Sequence, residues 1–299
     1  MALLLISFFS GKSNVLKSLN DKNKKEKGGI TLKLSLCTTG FKEWDIEEII
    51  NWLLPLQADV KGLELWNKHI ERFQEKHGPL DKLAKLLETN DLQIPSISGY
   101  TTFSKLWNQK EHQNEINQAR RLLDMAHQLN CPLIRTFAGH IASRNASPEQ
   151  WSETATELNK LGQMADLYGV DVAIEIHYDS FADNLEAIHK LLEDIDHPRI
   201  KLIFDGANLY VDQLNPKEVL ESIFPHVSHV HLKNYHYNHK ERYKNKPAPI
   251  FSGDVDNIRL LEELRKRNYT GFVSLEYFGQ EGMPNLLASL EQWKQQLTY

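Results

Sequence analysis

The sequence predicts an α/β protein, a closed parallel (β/α)8 barrel folded as a single domain. From Ile30 onward, short apolar runs alternate with segments of helical periodicity, joined mostly by connections of a few residues. Four polar residues, Glu175, Asp205, His231 and Glu276, each stand near the end of an apolar run in the second half, where parallel barrels place their chemistry. A barrel of this class needs roughly 250 residues, and the chain of 299 holds one with an extension to spare.

TLKLSLC reads as the first strand and FKEWDIEEIINWL as a helix, with Trp44, Ile46, Ile49, Ile50 and Leu53 at helical spacing. DVKGLELW is the second strand, and a long helical segment containing LDKLAKLLETN leads to a short third strand, LQIPSIS. In INQARRLLDMAHQLN, Ile116, Ala119, Leu122, Leu123 and Ala126 mark a helical face ahead of the fourth strand, CPLIRTF. Ser147, Pro148 and Glu149 give a capping residue followed by proline at the first helical position; that helix runs to about Tyr168, and Gly169 stops it. VDVAIEIH, IKLIFD, VSHVHLK and GFVSLEY are strands five to eight, with helices near 183–195, 216–224, 256–268 and 283–297. The longest irregular stretch, Asn234 to about Asp254, carries Lys240, Arg242, Lys244 and Lys246 among Tyr and His; it reads as a solvated loop, with a substrate lid as the sharper alternative.

Residues 1–29 read as a flexible N-terminal extension outside the barrel domain of 30–299. Its ALLLISFF is too short to span a bilayer and has no Lys or Arg before it, as a secretory leader would. The following KSNVLKSLNDKNKKEKGG has too few apolar residues to anchor a core element. Elsewhere a hydrophobic content of 41% and a charged content of 25% suit a soluble protein with a substantial core. A net charge of -5 gives no general attraction to phosphate backbones, so no nucleic-acid partner is expected, and no apolar run calls for a membrane. Cys37 and Cys131 cannot form a disulfide framework; they read as buried thiols in a reducing, cytoplasmic setting. A homo-oligomer is left open.

Strand side chains alternate between barrel interior and helix layer, so parity tests whether the four polar residues converge. Ala173, Glu175 and His177 share a face opposite Ile174 and Ile176; His229, His231 and Lys233 oppose Val230 and Leu232; Ser274 and Glu276 oppose Val273, Leu275 and Tyr277. Three carboxylates inside a barrel need compensating cations, for which Lys233 and Arg135 are the main protein candidates. A divalent metal is the simpler neutraliser. Oxygen-rich ligation with one imidazole suits Mn²⁺, Mg²⁺ or Co²⁺, and leaves Zn²⁺ open. Any one of these residues alone would be an ordinary salt-bridged core group; four at successive strand ends would not.

Further candidates surround this set. Glu64 and Trp66 face inward by parity and are expected to touch substrate, with a purely structural role for Glu64 equally weighted. His177 is expected at the mouth as a substrate hydrogen-bond partner, and Lys233 either stabilises an enediolate oxygen or neutralises a carboxylate. Arg135 and His140, around the end of strand four, are weaker candidates for substrate contact. His69, His77, His112, His127, His189 and His197 fall in helical or linking segments and read as surface residues.

GLELW, IEIH, FDGAN, HVHLKN and SGDVDNIRLLEELRKRNYTGFVSLEYF resemble the corresponding strands of the xylose isomerase-like TIM barrel superfamily of sugar isomerases and epimerases, and the resemblance covers roughly residues 30–298. It implies one divalent metal held by Glu175, Asp205, His231 and Glu276. It also implies a metal-dependent isomerase or epimerase of carbohydrate metabolism, acting on a sugar or sugar phosphate. Glu175 and Glu276 would be the catalytic pair, taking a proton and returning it through an enediolate. Three positions depart from the pattern: Asn208 stands where many relatives carry His, Tyr237 where free-ketose epimerases often carry Arg, and Asn234 where many carry Asp. Asn208 keeps the capacity to hydrogen-bond a substrate hydroxyl. The alternatives are an inosose-type dehydratase on the same metal site and a non-catalytic sugar-binding barrel. An endonuclease for abasic DNA also occurs in the superfamily, but strands two and three lack the additional His ligands it would need.

Overall fold

Every barrel strand in this protein is buried on both faces, under helices outside and against a polar network inside. The structure, a computed structural model, describes residues 31–104, 108–279 and 281–297. The extension expected at 1–29 lies outside the described residues. In chain order the barrel strands are β1 (Lys33–Cys37), β2 (Val60–Trp66), β3 (Ile97–Ser98), β4 (Leu133–Thr136), β5 (Asp171–Glu175), β6 (Ile200–Asp205), β7 (Val227–Leu232) and β10 (Phe272–Leu275). All neighbours are parallel, and β10 closes the ring on β1 with Leu34 opposite Val273 and Ser35 opposite Ser274.

Parity divides the core as the sequence predicts. Ile174, Ile176, Val230, Leu232, Val273 and Leu275 join the large apolar cluster beneath the helices. Leu133, Ala173 and Ile203 form a separate small apolar cluster. Elsewhere the interior is polar: Ser35 and Ser274 pair their hydroxyls at 2.6 Å. The third strand is shorter than expected. Gln93 makes only an isolated bridge to Gly62, and Pro95 lacks the N–H that would extend the ladder to Ile97.

Helix boundaries follow local chemistry. Helix Ile46–Leu53 starts later than its periodicity suggests, because Asp45 and Glu48 close a capping box and leave Trp44 outside it. Ser147 and Gln150 form a second capping box ahead of Pro148–Asp166, and Gly169 takes a φ of 67° just beyond that helix. A short helix not foreseen, Gly206–Val211, follows β6 directly, with the Asp205 carboxylate accepting the Asn208 N–H. No helix among the described residues is long and apolar enough to cross a membrane.

The segment read as an irregular loop after β7 is instead ordered into an antiparallel ribbon. Its strands, β8 (Asn234–His236) and β9 (Lys246–Ala248), pair in register around the turn Arg242–Lys244. Asn234 fixes it: its side-chain amide donates to Ile250 O (2.9 Å) and Val255 O (2.8 Å), while its Oδ1 accepts the Tyr235 and Val255 N–H groups. Gly253 packs so closely on this amide that a Cβ there would lie 2.3 Å from Asn234 Oδ1. At the far end, Arg242 pairs with Asp212 and reaches toward Asp179 at 3.8 Å, which ties the ribbon across the loops after β5 and β6.

Candidate metal centre

Glu175 and Asp205 are the last residues of β5 and β6, His231 is the penultimate residue of β7, and Glu276 follows β10. All four are buried, and each offers one ligand atom within 4.8 Å of the others. The strands meet at these heights because Glu175 is level with Ile203, Asp205 with His231, and His231 with Ser274. His231 Nδ1 faces Glu175 Oε1 at 3.4 Å, Glu276 Oε2 at 3.6 Å and Asp205 Oδ2 at 3.8 Å.

Two cations accompany the carboxylates. Arg135, only 1% exposed, lies with Nη1 2.9 Å from Glu175 Oε2 and 3.3 Å from Glu276 Oε1, and its guanidinium packs over the Tyr100 ring at 4.6 Å. Lys233 Nζ lies 2.7 Å from Asp205 Oδ2 and 2.6 Å from Glu276 Oε2. Burial opposes the charge on Lys233, yet Asp205 and Glu276 outweigh it and hold the ammonium well above its usual range. For Glu175 burial also disfavours the ion, but Arg135, His231 and Lys233 together pull its carboxyl below the ordinary carboxylate range. Asp205 goes the other way: burial, joined by Glu276 and Glu175, raises its carboxyl despite Lys233.

The donor set fits a divalent cation. Glu175 Oε2, Asp205 Oδ2 and His231 Nδ1 are buried and make no aligned hydrogen bond, although the first two sit in ion-pair contact with Arg135 and Lys233. Buried polar atoms are rarely left without an aligned hydrogen bond, and these three face one another closely enough to share one cation. Three carboxylate oxygens and one imidazole nitrogen are hard-to-borderline donors, suited to Mg²⁺, Mn²⁺, Co²⁺ or Zn²⁺.

The other expected site residues are distributed around this cluster. His177, Asn208 and Lys233 line a cavity of about 410 Å³ at the barrel mouth, walled by Tyr178, Tyr235 and Tyr237. Asn208 donates its amide to Ile176 O at 3.0 Å and to Glu175 Oε1 at 3.4 Å, so it steadies the carboxylate. Glu64, for which substrate contact and a structural role were equally weighted, lies inside the barrel with no exposed surface, bonded to His229, His231 and Ser98. Trp66 is half-buried, does not line the mouth cavity, and packs edge-on against His69. His140 is exposed and bonds Ser104. Cys37, a buried free thiol, has its Sγ 3.8 Å from Glu276 Oε1.

Two features escaped the sequence reading. The ribbon brings Tyr235 and Tyr237 to the wall beside Tyr178 from the loop after β5, and strands of three residues are too short for their alternation to be told from chance. His69 is not a surface residue: it is 1% exposed, with Nδ1 2.9 Å from Thr38 Oγ1 and Nε2 3.1 Å from Phe41 O. It faces the helix layer's inner side, which a lone His in an amphipathic helix does not announce. A larger surface cavity, between helices Pro148–Asp166 and Leu185–Asp194, lies away from the cluster.

Comparison with known proteins gives consistent results. A family model described as xylose isomerase-like TIM barrel matches residues 56–298. The chain is similar to a 3-dehydroshikimate dehydratase of Bacillus anthracis, 24% identical over 273 residues that cover 87% of this chain and 96% of the relative. It is similar to an inosose dehydratase of Clostridium botulinum, 25% identical over 278 residues that cover 82% of this chain and 89% of the relative. Among solved structures, that of a probable 3-DHS dehydratase from Bacillus anthracis superposes with a TM-score of 0.79 at 23% identity, covering 88% of this chain and 99% of the other.

Proposed function

We propose, from the premise that the chain belongs to the xylose isomerase-like TIM barrel family, that it is a divalent-metal-dependent enzyme acting on a small polyhydroxylated carbonyl compound. The reaction begins with removal of the proton from the carbon beside the carbonyl and ends with loss of water from the next carbon. The observation that carries the reading is the convergence of four buried ligand atoms, from Glu175, Asp205, His231 and Glu276, within 4.8 Å of one another and beside Lys233. Dehydration is favoured over the isomerase or epimerase outcome because the two named relatives are dehydratases.

A divalent cation held by Glu175, Asp205, His231 and Glu276 supplies electrostatic stabilisation of the negative charge that develops on the substrate carbonyl oxygen. Arg135 Nη1 contacts both Glu175, at 2.9 Å, and Glu276, at 3.3 Å, and either carboxylate can accept the proton. As the C–H bond breaks, its electron pair forms the new C=C bond and the neighbouring C–O bond breaks. Lys233 donates the proton with which the departing hydroxide leaves as water, and the proton held by the carboxylate restores the ammonium. His177 and Asn208, at the mouth cavity, are placed to orient substrate hydroxyls. The tyrosine walls offer flat apolar faces to the C–H side of a ring.

A second reading, epimerisation or isomerisation through an enediolate, is favoured by one feature: two carboxylates, not one, contact Arg135 and could return the proton. Incubation in D₂O with Mg²⁺ or Zn²⁺ and a panel of inososes, 3-dehydroshikimate and ketoses, followed by NMR, separates the two. Metal-dependent deuterium exchange with appearance of an enone supports dehydration, while exchange with an epimer or isomer as product supports the second reading. Exchange that survives a chelator would overturn the metal dependence of both.

A further inference from the structure

Beneath the mouth lies a buried hydrogen-bonded group that the chemistry above does not use: Glu64 on β2, Ser98 on β3 and His229 on β7. Glu64 Oε2 accepts from His229 Nε2 at 2.9 Å and from His231 Nε2 at 3.0 Å, and Glu64 Oε1 accepts from the Ser98 hydroxyl at 2.5 Å. His229 Nε2 is also 3.0 Å from Ser274 Oγ, which itself pairs with Ser35. Both Glu64 oxygens are therefore engaged, with His231 Nε2 also 3.2 Å from Oε1, and the same carboxylate receives the N–H of the imidazole that belongs to the metal cluster.

The consequence is a competition over one proton. His231 Nδ1 faces three carboxylate oxygens at 3.4 to 3.8 Å, all of which would attract an N–H to that nitrogen, at the point where a cation must bind. A neutral imidazole has one N–H, and which nitrogen bears it is set by the hydrogen bond the other makes. We infer that Glu64 is a positioning residue, which draws the His231 N–H to Nε2 from below so that Nδ1 presents its lone pair to the metal. His229 and Ser98 hold Glu64 in the orientation this requires. A carboxylate behind a ligating histidine also raises the basicity of the coordinating nitrogen.

This inference rests on the proposed metal site and needs a readout besides turnover. Zn²⁺ affinity, measured by competition with a chromophoric chelator, is expected to fall about 10- to 100-fold in E64Q, and further in E64L, with circular dichroism confirming the fold. In zinc-loaded protein with ¹⁵N-labelled histidine, two slowly exchanging imidazole N–H protons, those of His229 and His231 Nε2, are expected far downfield. Both move upfield in E64Q. Should E64L fail to fold, E64Q decides the matter alone. E64Q binding zinc as tightly as the unsubstituted chain, with the His231 N–H unshifted, would overturn this inference only, whereas an unsubstituted chain that binds no metal would overturn the proposed function as well.

Discussion

Arg135 Nη1 stands 2.9 Å from Glu175 Oε2, both side chains withdrawn from solvent, and the same nitrogen reaches Glu276. Removing one member of a buried ion pair leaves the other uncompensated, at a cost of about 3–5 kcal/mol. A bound divalent cation neutralises the same carboxylates. Arg135→Met is therefore expected to destabilise the chelator-treated protein strongly and the metal-loaded protein less. The unsubstituted chain should itself gain about 2.7 kcal/mol at a free metal concentration 100 times its dissociation constant. Urea unfolding midpoints with metal and with chelator test this; equal losses in both conditions would mean that the cation does not share the role of Arg135.

Glu175→Gln and Glu276→Gln each keep shape and remove a proton acceptor. Turnover of an identified substrate is expected to fall by about 10²- to 10⁴-fold in each, with the secondary structure retained by circular dichroism and the thermal transition lowered by the loss of a buried ion-pair partner. If both variants kept full activity, the assignment of the proton-transfer pair would be wrong.

Asn234 is an amide for a physical reason. Its Nδ2 donates to two backbone carbonyls, Ile250 O and Val255 O, and a carboxylate has nothing to donate. Asn234→Asp is expected to cost about 1–3 kcal/mol by leaving those buried acceptors unpaired. It should also loosen the ribbon, which would show as a raised KM with a smaller change in kcat. Unchanged urea stability would show that the carbonyls find water instead.

Burial holds the His69 imidazole down at about 4, below the value near 6.5 of an unfolded chain. Between those values the unfolded state binds more protons than the folded one, so stability is fully present above the unfolded value and is lost as pH falls toward 4. The window is worth about 3 kcal/mol. His69→Gln is expected to be less stable at neutral pH yet to lose less on acidification, as read from urea titrations at several pH values. Parallel pH profiles for the two chains would place the titration elsewhere.

The barrel was legible because its signals are periodic and repeated: alternation in β5, β7 and β10 alone assigns the inner and outer faces. The four-residue cluster was legible for the same reason, since parity and position at strand ends need no knowledge of distances. What escaped depends on relationships across the chain. Glu64 has the parity of a substrate contact, but only its position beside His229 and His231 shows that its oxygens are already engaged. The β8–β9 ribbon was hidden because its strands are three residues each and one contains Pro247, too short for periodicity to register. His69 was misjudged because burial by a preceding loop, Thr38–Phe41, leaves no pattern in its own helix.

The ribbon leaves the barrel after Lys233 and returns at Asn257, and the two points are joined directly: Asn257 Nδ2 donates to Lys233 O at 3.1 Å and to Ile250 O at 2.7 Å. Departure and return thus share one clasp, and the excursion lies between β7 and β10 without interrupting either strand. Such an arrangement lets the wall above the mouth change in length without moving the strand ends beneath it. Residues 235–256 are thus one insertion closed at its base, and the bonds from Arg242 to Asp212 and from the Phe251 N–H to Gln292 Oε1 pin its far parts to the scaffold.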